Sequence, residues 1–155
     1  MLRALYPLSI MSKPLTLIFE AHGTTFDNEA HLSSGWNDVA PNGRSFGDRF
    51  PLIRDKRLRE CDYGDLTQKP SEIVDAEKAR RIAEPFPGGE SYTETTARMK
   101  SFLDDLRRDY AGKRVMVIGH RATQYGIEQC LLGVPLEKLV ATHFKWQPGW
   151  VYEVK

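Results

Sequence analysis

Two distant segments repeat one order of residue types, and that repetition restricts the fold more than any other feature of the chain. LTLIFEAHGTT (15–25) and RVMVIGHRATQ (114–124) each run from an apolar stretch through a small residue to a histidine, then a short turn and a threonine. The run VMVI (115–118) is apolar without interruption, as parallel strands are when helices cover both faces of their sheet. His22 and His120 are then expected at the carboxyl ends of two strands. Open parallel sheets gather their sites at those ends, where the following helices turn unpaired N–H groups and positive dipole ends toward anions.

The rest of the pattern fills in helices around such strands. Residues 15–19 (LTLIF) read as the first strand, entered after Pro14. From Gly23 to Phe50 the chain is rich in Gly, Asn, Asp, Ser and Pro and reads as loop. FPLIRD (50–55) is expected to supply a short strand, and 70–84 a helix that PFPGG ends. The clearest helix is 91–110: Ser91 and Glu94 have capping-box spacing, and Met99, Phe102, Leu103, Leu106 and Tyr110 share a face. A helix over 122–133 and a final strand over 149–154 complete an alternation that argues for a layered α/β sheet.

A chain of 155 residues suits one domain with a real core, whereas two would each be small for unassisted folding. Residues 1–13 read as an N-terminal extension and 14–155 as the domain. No apolar run is long enough to cross a bilayer, and a net charge of +1 lacks the basic balance of a nucleic-acid binder. Cys61 and Cys130 form no C-x-x-C pair, which points to a reducing cytoplasm.

A histidine ending a strand is, taken alone, an ordinary polar residue; two in matching positions suggest a shared task. His31 and His143 stand in no metal-ligand spacing with them, and no G-x-S-x-G elbow is present. What remains is nucleophilic or acid–base work by neutral imidazole, whose unperturbed pKa lies near ~6.5. A phosphoryl group would account for the surrounding donors: the turn after His22 at Gly23, the side chain of Asn28, and the second imidazole.

These residues resemble the histidine phosphatase superfamily, the phosphoglycerate mutase-like proteins. AHGTTFDN (21–28) is similar to that family's Arg-His-Gly-x-Thr-x-x-Asn pattern apart from its first position. SGWND, RLRECDYGDLT, PFPGGES and VMVIGHRAT follow in family order. The resemblance implies a three-layer, mostly parallel sheet with helices on both faces, lacking one helix–strand unit. It implies His22 as the nucleophile that becomes a phosphohistidine, Glu60 as the acid that protonates the leaving oxygen, and His120 as a second imidazole on the phosphoryl group. Gly23, Asn28, Ser34, Gly35, Tyr63 and the amide of Arg121 would bind phosphate or substrate. The activity implied is hydrolysis of a small phosphomonoester without metal or other cofactor. The partner expected is that small phosphorylated substrate, neither nucleic acid nor membrane; the oligomeric state stays open, a homodimer included.

Two departures bear on catalysis. Ala21 stands where the family has an arginine, and only about a dozen residues separate Asp38 from Phe50, too few for the helix, strand and second pocket arginine found there in relatives. A guanidinium about 4 Å from a phosphate charge contributes roughly 4 kcal/mol at an effective dielectric of about 20, and losing that in the transition state costs up to about three decades in rate. Arg44, Arg59 and Arg121 are the candidate substitutes, Arg121 being closest in sequence to a histidine of the pair. The alternative reading is a catalytically silent member of the fold that binds phosphate or a partner.

Overall fold

The computed structural model describes residues 13–21 and 53–155. The loop expected over 23–50 and the candidates His22, Gly23, Asn28, Ser34 and Gly35 lie outside the described residues. Strand β1 (Leu15–Ala21) is central, flanked by β2 (Arg114–Gly119) and β3 (Trp150–Val154) in the order β2-β1-β3. β1 runs parallel to β2, from Thr16 opposite Arg114 to Ala21 opposite Gly119. It runs antiparallel to β3, from Leu15 opposite Val154 to Phe19 opposite Trp150. Among the described residues four α-helices accompany them: α1 (Ser71–Glu77), α2 (Tyr92–Asp109), α3 (Arg121–Leu132) and α4 (Leu136–Ala141). The described architecture is therefore α/β, and no helix in it is long and apolar enough to cross a membrane.

The alternation of a strand decides which side chains enter the core. Leu15, Leu17 and Phe19 of β1 point to one face with Val117 of β2 and Tyr152 and Val154 of β3. Met99, Phe102, Leu103 and Leu106 of α2 and Ile127 of α3 close over them. Gly126 lets α2 and α3 approach closely, since a Cβ there would lie 2.7 Å from Met99 Cβ. On the other face Ile18 is half-buried, Met116 is 53% exposed and Val151 is 70% exposed, so VMVI is an alternating strand with one face packed.

The Ser91–Glu94 capping box forms as expected. The Ser91 N–H donates to Glu94 Oε2 at 2.7 Å, and the Glu94 N–H donates to Ser91 Oγ at 3.2 Å. The helix expected over 70–84 divides: α1 stops at Glu77, and Arg80–Ile82 forms a separate 3-10 turn. Arg81 is drawn inward there, pairing with Glu77, donating to the Pro85 carbonyl at 2.8 Å and lying over the Phe86 ring. Of the expected strand at 50–55, residues 53–55 carry no ladder. The short helix α4 was not anticipated, although Pro135 followed by Leu136, Leu139 and Val140 at helical spacing carries its signal.

Candidate active site

The site is assembled at the carboxyl edge of the parallel strand pair. Ala21 and Gly119 are register partners, so β1 and β2 end abreast, and a histidine follows each of them in sequence. His120 caps α3, and its own N–H donates to Thr123 Oγ1 at 3.3 Å. Gly119 permits the tight passage from strand to helix, because a Cβ there would meet both Phe19 and Thr123 at 3.0 Å.

Glu60 reaches this edge from a stretch with little regular structure. Between the 3-10 turns Lys56–Leu58 and Gly64–Leu66 the chain makes no ladder, and its course is set by side-chain bonds. Glu60 is only 8% exposed. Its Oε1 accepts from the Cys61 N–H at 2.7 Å and from the Ala122 N–H at 3.2 Å. The second donor belongs to the first turn of α3, whose amides have no partner within the helix. Glu60 thus bonds to the same helix N-terminus that His120 caps. Thr123 Oγ1 adds a tether by donating to the Leu58 carbonyl at 3.1 Å.

The other described candidates surround this pair in different ways. Tyr63 stands in a second core with Cys61, Val74, Phe86, Tyr92, Ala122 and Tyr125, its ring edge-on to Phe86 at 5.1 Å. Burial pushes its phenol well above the ordinary tyrosine value, with the neighbouring Glu60 charge adding to the effect. Arg121 opens α3 with its guanidinium between the rings of Tyr125, at 4.8 Å, and Phe144, at 5.3 Å. It also donates to Gln124 Oε1 at 2.7 Å and to the Thr142 carbonyl at 3.3 Å. Arg59, beside Glu60, is half-buried, while Arg44 lies outside the described residues. Cys61 is no nucleophile in this setting, since burial raises its thiol far above neutrality and the Glu60 charge raises it further. Among the described residues, no group of three or more His, Cys, Asp or Glu could hold a metal ion.

Sequence reasoning assigned no role to Glu90, Arg98 or Thr123, which bond to the stretch carrying Glu60, or to Thr95, which donates to Glu90. The signal lay in PFPGGES, whose Glu90 stands one residue before a helix cap and eight before Arg98.

Comparison with known proteins bears on this geometry. Residues 42–154 match the model of the histidine phosphatase superfamily, branch 1. Phosphoserine phosphatase 1 of Hydrogenobacter thermophilus is 30% identical over 95 residues, which cover 56% of this chain and 45% of that protein. The chain spans about half the length of the curated relatives it matches. Among solved structures, YhfR of Bacillus stearothermophilus superposes with a TM-score of 0.72 at 18% identity, covering 85% of this chain and 87% of that one. A mutant phosphoserine phosphatase from Entamoeba histolytica, in complex with phosphoserine, also gives 0.72, at 14% identity and coverages of 90% and 94%. The fold is that of the phosphoglycerate mutase-like proteins.

Proposed function

The chain belongs to the histidine phosphatase superfamily, and from that premise we propose that it hydrolyses a small phosphomonoester through a phosphohistidine at His22. The observation that carries the reading is the Glu60 carboxyl held against the first turn of α3, two residues beyond His120, at the edge toward which β1 runs.

In the proposed reaction a ring nitrogen of His22 attacks phosphorus as the bond to the substrate's ester oxygen breaks. Glu60 gives its proton to that oxygen, so a neutral alcohol leaves. His120 donates to a non-bridging phosphoryl oxygen, and the amides of Gly23 and Arg121 and the side chain of Asn28 share the charge, with Ser34 and Gly35 lining the pocket. Water then attacks the phosphohistidine, Glu60 takes the water's proton, and inorganic phosphate and free His22 are regenerated. No metal or cofactor enters either step. Tyr63 would help bind the substrate from its place in the second core. Phosphoserine is the first substrate to assay, because curated relatives carry that activity in their names.

We place the reaction in the cytoplasm, consistent with Cys61 and Cys130 being free thiols. Residues 14–155 would form the phosphatase domain and 1–13 an extension before it. The test is phosphate release from phosphoserine and from an aryl phosphate by the protein and by His22→Ala. The variant is expected to lose at least about three orders of magnitude; equal release by both proteins would defeat the reading. A silent binding role is favoured by one observation, that Ala21 brings no cation to the end of β1. That role requires phosphate to bind calorimetrically while neither substrate turns over.

A further inference from the structure

A part-buried ion pair between Arg98 and Glu90 helps set the path of the stretch that carries Glu60. Arg98, on α2, donates from Nη2 to the Glu60 carbonyl at 2.9 Å and from Nη1 to the Arg57 carbonyl. The same Nη2 lies 2.6 Å from Glu90 Oε1. That oxygen also accepts from the Asp62 N–H at 3.3 Å and from Thr95 Oγ1 at 2.7 Å, while the Glu90 N–H donates to the Asp62 carbonyl at 2.9 Å. The peptide groups on both sides of Cys61 are therefore held by Arg98 of α2 and by Glu90 just before that helix. The Cys61 N–H, in the same peptide group as the Glu60 carbonyl that Arg98 holds, is the donor that turns the Glu60 carboxyl toward α3.

We propose that Glu90 and Arg98 position the Glu60 carboxyl for leaving-group protonation, without themselves touching substrate. The inference rests on the phosphatase reading above and extends it by two residues. The chemistry favours arginine at this place, because a planar guanidinium can reach two carbonyls and a carboxylate at once and an ammonium cannot hold that fork. The pair's side chains are 16% and 15% exposed, so its geometry is protected from competing water. A small rotation of the backbone at residue 60 would swing the carboxyl away from the Ala122 N–H, and catalytic geometry tolerates little displacement.

The test separates positioning from simple stabilisation by the leaving group. An aryl phosphate leaves readily without a proton, whereas an alkyl phosphate such as glycerol phosphate needs one. In Arg98→Lys and Glu90→Gln, kcat for the alkyl substrate is expected to fall about 10- to 100-fold, within the range general acid catalysis supplies, and kcat for 4-nitrophenyl phosphate by no more than about threefold. The alkyl-specific loss should vanish when Glu60→Gln is already present. Parallel losses on both substrates, or additivity with Glu60→Gln, would overturn the proposal. Amide hydrogen exchange at Cys61 and Ala122 gives a readout free of turnover: it should speed up in both variants while β1 stays protected, and unchanged exchange would overturn the proposal. A wild-type protein inactive on both substrates defeats the phosphatase reading alone, and the exchange measurement still decides positioning.

Discussion

Glu60 has its carboxyl anchored by backbone donors from two parts of the chain, and its nearest thiol, Cys61, is buried and protonated. Replacing the acid while keeping the shape, Glu60→Gln, is expected to slow alkyl phosphate hydrolysis by about 10²–10⁴-fold, as measured by phosphate release. Equal loss on an aryl phosphate would remove Glu60 from the acid's role. Thiol reagents should label Cys130 ahead of the fully buried Cys61 in the native protein, and mapping the first adduct to Cys61 would contradict this burial. Asp55 shows the electrostatics of the same stretch. Its bond to the Arg57 guanidinium holds the carboxyl below the usual aspartate range. On acidification the unfolded chain takes up this proton first. The contribution to stability is therefore complete above the ordinary value near ~3.9 and is lost as pH falls from there through the lowered folded value. Asp55→Asn should flatten the acid limb of Tm against pH; an unchanged limb would refute the assignment. Of these features, Glu60 was legible only as a position in a family motif. Its partner Ala122 is 62 residues away in sequence, which no local pattern reports.

Elements succeed or fail here through their contacts as much as their propensities. α2 was readable because its cap, its apolar spacing and its length agree, and each of these is local. Arg57 then fastens the Glu60 stretch to it, bonding Asp105 at 2.7 Å and Ser101 at 3.1 Å while lying over the Phe102 ring. α1 was read too long because Arg81 gains more from Glu77, Pro85 and Phe86 than from another helical turn. Gly126 sets two effects against each other. Alanine there would improve helix propensity by about 1 kcal/mol, but its Cβ would lie 2.7 Å from Met99 Cβ, and such overpacking costs about 1–3 kcal/mol. Gly126→Ala is accordingly expected to lower stability in urea denaturation. A stabilised variant would mean that α2 and α3 separate more easily than their packing indicates.

At the scale of the whole molecule the three described strands pack one face into the core and carry exposed apolar side chains on the other. Val151, Ile18 and Met116 are neighbours across all three strands, and Ile118 is exposed beside them. An apolar row of this kind favours self-association. Met116→Lys is expected to reduce concentration-dependent light scattering while changing stability by less than about 0.5 kcal/mol. Unchanged scattering would show that the row does not drive association. The sequence by itself determined the strand–helix alternation, the boundaries of α2 and β2, and the arrival of two histidines after two strand ends. All of these follow from periodicity and capping, which act over a few residues. Only the tertiary structure decided that β1 lies between a parallel and an antiparallel neighbour, and that Met116 and Ile118 of VMVI are exposed while Val117 is buried. It alone brought Glu60 to the start of α3 and joined Glu90 and Arg98 into its support. Those arrangements join residues far apart in the chain, where register and burial, and no local spacing, select the partner.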